Sequence, residues 1–195
     1  MCSWCYAFVP VWAEIQSQLP EGVIVRRWLG GLAPDTDDPM PVEMRERLQA
    51  TWRRIESMVP TTRFNFEFWK QCQPRRSTYP SCRAVIAARE QGAENDVSMT
   101  HAIQKAYFEQ ARNPSDDATL IELAASLGLD VDRFRVHLSA PETQAELVRE
   151  IEVAHAMGVG GFPSLVLQTP AGSRPIPIDY NKADPMLEFL GGIVR

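Results

Sequence analysis

The chain is poor in lysine and has no long apolar run. Lys70, Lys105 and Lys182 are its only lysines, and its other basic residues are scattered arginines. With a net charge of −5 and a pI near 5.3, it offers no basic stripe to track a phosphate backbone, so nucleic acid is excluded as the expected partner. No apolar stretch approaches the ~18 residues that cross a bilayer. No charged segment leads into a short apolar one, so no export signal is visible. A soluble cytoplasmic protein with no membrane partner is the expectation. Cysteine is sparse as well, and four in 195 residues are too few for a disulfide scaffold. Internal repeats and low-complexity tracts are absent. Apolar residues are plentiful at 45%, enough for one domain with an insertion and a sizeable core.

Two of the four cysteines stand together. Residues 1–8 read M-C-S-W-C-Y-A-F, and a periodic apolar stretch follows through Tyr6, Phe8, Val9, Trp12, Ile15 and Leu19. The Cys2-x-x-Cys5 pair is therefore expected on the first turn of a helix. The first N–H groups of a helix lack partners, and the peptide dipoles add roughly half a positive charge there. Such a place stabilises a thiolate, lowering a thiol pKa from about 8.5 to about 3.5–7.5 in motifs of this kind. Cys2 is the expected nucleophile and Cys5 the resolving thiol one turn away. Ser3 and Trp4, between the sulfurs, are expected to set the redox potential, and Trp4 can also touch substrate. Cys-x-x-Cys alone does not exclude a zinc site.

The second informative stretch is Gly158-Val159-Gly160-Gly161-Phe162-Pro163-Ser164-Leu165-Val166-Leu167. A helix ends in glycine, a loop follows, and a proline stands directly before a strand-like run, one of the few places a sheet accepts it. A Cys-x-x-Cys helix, a glycine-rich turn and a pre-strand proline, in that order, resemble the thioredoxin fold. Chain length and pattern resemble its DsbA-like branch, in particular the FrnE-like predicted protein-disulfide isomerases. The resemblance covers nearly the whole chain, including the start of an insert helix at Ser77-Thr78-Tyr79-Pro80-Ser81-Cys82-Arg83-Ala84-Val85.

This resemblance implies an α/β thioredoxin-like domain from residues 1–31 and 159–195, interrupted by an all-helical insertion over 32–158. It implies a cis Pro163 beside the Cys2–Cys5 pair, with Phe162 offering backbone groups to an incoming peptide. The implied activity is thiol-disulfide oxidoreduction or isomerisation on protein or small-molecule disulfides, with glutathione or a thioredoxin-type reductant as partner. No cofactor or metal is implied, and the oligomeric state is left open. An interior strand should feed the Cys-x-x-Cys helix, yet only Met1 precedes Cys2, so the strand is expected to be missing here. The natural polypeptide is then expected to begin upstream, with Met1 internal. Better-known relatives place a Glu seven residues after the first cysteine; Val9 stands there, leaving the proton acceptor for Cys5 unidentified. Two alternatives compete: a glutathione-dependent isomerase or transferase of the kappa type, and a non-catalytic peptide- or zinc-binding module.

Elsewhere the pattern predicts a helix over 2–18 with Pro10 inside it, then a buried parallel strand at Val23–Leu29 closed by Gly30-Gly31. Helices are expected over Val42–Met58, from Pro80 to about Gly92, and over Val97–Arg112, Ala118–Leu127 and Val131–Leu138. A last insert helix should run to Met157 from a capping box at Ser139–Glu142. Strands at 164–168 and 174–178 and a helix over Asp184–Val194 close the chain. Phe64, Phe66, Phe68 and Trp69 are core residues first and groove-lining residues second. Cys72 and Cys82 are expected to be idle thiols, with a second redox pair as the rival. His101, His137 and His155 are expected to pack or face solvent.

Overall fold

The computed structural model describes residues 1–192. Helix α1 (Ser3–Ser17) begins where the Cys-x-x-Cys pattern predicts. Cys2 is its N-cap in extended backbone, and the Cys2 sulfur accepts the Cys5 N–H. Ala7, Phe8, Val11 and Ile15 recur at helical spacing and are buried. Pro10 lies inside the helix but on its exposed side. Then come α2 (Val42–Met58), α3 (Phe68–Gln71), α4 (Tyr79–Arg89), α5 (Asn95–Phe108), α6 (Asp117–Ser126), α7 (Val131–Ser139) and α8 (Pro141–Ala156). A hairpin of β1 (Leu165–Thr169) and β2 (Gly172–Ile176) and helix α9 (Asp184–Gly191) follow. The predicted last turn at 193–194 lies outside the described residues.

The apolar interior forms three clusters. In the first, α4 packs against α5, α6, α7 and α8 through small residues (Ala84, Ala87, Ala88) facing larger ones such as Phe134 and Leu120. The second gathers Phe64, Phe68, Trp69, Tyr107 and Phe108 around Trp52 of α2, itself 1% exposed. The third joins Phe8, Val11 and Ile15 of α1 to Ile176 of β2 and Met186 and Leu190 of α9. Ala7 belongs to the second cluster and Phe8 to the third, so α1 is wedged between the aromatic cluster and the hairpin. That wedge fixes the direction of its cysteine-bearing end.

The hairpin is antiparallel, with Leu165 opposite Ile176 and Thr169 opposite Gly172. Proline fits in β2 because, among the described residues, each of these strands has one neighbour. Gly158 ends α8 at φ +79°, the left-handed conformation that favours glycine.

Two expectations need correction. Val23–Leu29 forms no ladder, and Ile24 is 81% exposed. Among the described residues the sheet has two strands, so the run has β propensity but no neighbour to pair with. It is held by the helices instead: the Leu29 N–H donates to Glu150 Oε2 (2.6 Å), and Arg27 reaches Thr100 and Asp96. The capping box at Ser139 does not form. Ser139 is the last residue of α7, its hydroxyl donates to the Arg135 carbonyl, and Ala140 caps α8 without a side-chain bond.

Candidate active site

The site is assembled from the start of α1, the turn before β1 and the extended segment at Gly30. The Cys5 N–H donates to Cys2 Sγ at 3.4 Å, and the Cys2 thiol donates to the Phe162 carbonyl oxygen at 3.4 Å. The Phe162–Pro163 peptide bond is cis. Phe162 is seated by Gly30, where any Cβ would collide with its ring. Glycine is required there for close approach.

The two sulfurs are electrostatically unlike. A side-chain hydrogen bond from Cys5 lowers the Cys2 thiol to about 7, against the opposing effect of burial, with backbone N–H groups helping. The same bond, burial and the Cys2 charge push the Cys5 thiol well upward. One sulfur is thus ionised near neutrality while its partner keeps its proton. A thiolate cannot donate, so ionisation gives up the bond to the Phe162 carbonyl and keeps the bond accepted from the Cys5 N–H.

Ser3 is buried and Trp4 half-buried. The Trp4 ring lies 4.8 Å from that of Tyr180, and the Arg54 guanidinium carbon lies 6.0 Å from the Trp4 ring centroid. Tyr180 escaped the sequence reading. Its phenol is pushed up to about 12 by burial first, then by the Cys2 and Cys5 charges. No local motif marks it; only the fold carries the loop after β2 to the sulfurs.

Cys72 and Cys82 are free thiols in different surroundings. Cys72 donates to the Ala111 carbonyl at 3.1 Å and is raised by burial and by Asp116. Cys82, on the first turn of α4, is pushed up to about 11, chiefly by burial. Among the described residues no group of three or more His, Cys, Asp or Glu side chains is placed to hold a metal ion. Among the described residues no helix is long and apolar enough to cross a membrane. His101 and His155 face solvent and His137 is partly covered.

The model of the DSBA-like thioredoxin domain matches residues 1–177. The chain belongs to that family. DSBA-like thioredoxin domains are protein-disulfide oxidoreductases. Among solved structures, a Nitrosomonas europaea protein provisionally described as a protein disulfide isomerase superposes with a TM-score of 0.83 at 24% identity, covering 100% of this chain and 93% of that one. The cytosolic disulfide reductase DsbM of Pseudomonas aeruginosa gives 0.77 at 22% identity, covering 100% and 95%. These likenesses show a shared fold. The ClpXP adapter protein SpxH of Bacillus subtilis is 26% identical over 118 residues, 60% of this chain but only 40% of SpxH. The fold is thus a mainly helical thioredoxin type with a helical insertion.

Proposed function

We propose that this protein exchanges disulfides through Cys2 and Cys5, with Cys2 as nucleophile and Cys5 as resolving thiol. The observation that carries the reading is two sulfurs one helical turn apart at the start of α1, with the Cys5 N–H donating to Cys2 Sγ and the Phe162 carbonyl beside it. In the reducing direction the Cys2 thiolate attacks one sulfur of a substrate disulfide. A mixed disulfide forms and one substrate thiolate leaves. Cys5 then gives up its proton and attacks Cys2, forming the Cys2–Cys5 bond and releasing the second substrate sulfur. Two electrons pass to the substrate, which leaves as two thiols; the reverse sequence oxidises. Phe162 and Pro163 hold a substrate backbone as a short added strand, Trp4 contacts it, and Ser3 and Trp4 tune the potential.

A reducing role in the cytoplasm, recharged by glutathione or a thioredoxin-type reductant, is supported by the resemblance to cytosolic DsbM, one structure of which contains GSH. The proton-retaining surroundings of Cys72 and Cys82 favour structural thiols over a second redox pair. Cys2→Ser is expected to abolish turnover of insulin or model-peptide disulfides, and Cys5→Ser to accumulate mixed disulfides visible by mass. Full turnover by Cys2→Ser would refute the assignment. Cys72→Ser and Cys82→Ser are expected to retain normal turnover; loss in either points to a relay.

A further inference from the structure

The cavity that opens at Cys2 and Phe162 has a charge opposite to that of the molecule around it. It measures about 310 Å³, and its lining contains Arg47, Arg75 and Arg76 but no Asp or Glu. Acidic residues outnumber basic ones in the whole chain, 25 to 20, so their absence from this lining is a local feature. Arg75 is already committed, to Asp116 at 2.7 Å, to Asp37 at 3.4 Å and to the Ser115 carbonyl. Arg47 of α2 and Arg76, just before α4, have no ion pair and no side-chain hydrogen bond among the described residues. The same lining includes the apolar Met40, Leu48, Trp52 and Phe68.

We propose that Arg47 and Arg76 form a carboxylate-binding subsite that selects small disulfides carrying carboxylates a few bonds from sulfur, the glutathione-disulfide class included. This rests on the disulfide-exchange reading above. The guanidinium fork matches a carboxylate in two parallel hydrogen bonds, and the apolar part of the lining strengthens them by excluding water. The volume lies at the lower end of small-molecule sites and is too small for a folded partner. Exchange proceeds as already described: one carboxylate-bearing thiolate leaves when Cys2 attacks, the second when Cys5 closes the ring. The arginines take no part in electron transfer; they raise the local concentration of the anion and orient its sulfur.

The test compares three small disulfides that differ in charge: dithiodipropionate (dianionic), hydroxyethyl disulfide (neutral) and cystamine (dicationic). Conversion of the reduced protein to its Cys2–Cys5 form is followed by mass after acid quench and alkylation. The dianion is expected to react fastest, by about tenfold or more over the neutral probe at low salt, with the advantage shrinking as salt screens it. Arg47→Ala with Arg76→Ala should lower the dianion-to-neutral ratio about tenfold, and Arg76→Lys should restore part of it. Circular dichroism checks that the variants fold. An unaltered ratio overturns the subsite, as does an acidic peptide disulfide that outruns the small dianion. Calorimetric binding of dithiodipropionate to Cys2→Ser/Cys5→Ser protein separates the two claims. Binding that disappears with the arginines upholds the subsite even if exchange fails; no binding overturns it even if exchange succeeds.

Discussion

Cys2 and Cys5 have the same side chain and opposite acidities, and the difference comes from position alone. Cys2 is the N-cap and accepts the N–H of Cys5, which stands at N3. Alkylation of the reduced protein by iodoacetamide should therefore modify Cys2 first. A lowered thiol pKa means thiolate above it and thiol below it, so the rate should be half-maximal near pH 7, against about 8.5 for an ordinary thiol. A midpoint at or above the ordinary value would remove the basis for Cys2 as nucleophile. Ser3 and Trp4 were legible as neighbours of the sulfurs. Tyr180 was not, because its approach to Trp4 depends on where the loop after β2 ends up.

Helices were the legible elements. The helix over Val42–Met58 appears as the pattern predicts, and the helix expected over Val131–Leu138 starts behind Asp130, whose side chain accepts the Arg133 N–H, because both depend on residues within a few positions of one another. The Val23–Leu29 strand was misread because a strand exists only through its neighbour, and local composition cannot supply one. What this segment does instead is place Gly30 under the Phe162 ring. Gly30→Ala is expected to displace that ring and the carbonyl that faces Cys2. Turnover should fall severalfold or more, up to the order of 100-fold that about 1 Å of misplacement can cost, while far-ultraviolet circular dichroism stays unchanged. Normal turnover would show that the Phe162 carbonyl is free to shift without consequence.

At the scale of the molecule, one buried charge network ties the segment before Gly30 to the helices. Glu150 is 0% exposed and holds both Arg89 and the Leu29 N–H, while Asp96 is shared by Arg89 and Arg27. Arg89→Ala leaves Glu150 buried without its cation and is expected to cost about 3–5 kcal/mol in urea unfolding. Adding Glu150→Gln should return part of that loss; a double variant no more stable than the single one would refute the pairing. The sequence by itself determined the chemistry and the helices, since a Cys-x-x-Cys at a helix start and a proline before a strand are properties of short stretches. Only the tertiary structure decided which carbonyl faces Cys2, which tyrosine lies near the sulfurs and which arginines line their cavity. Those are contacts between residues far apart in the chain, and packing alone selects them.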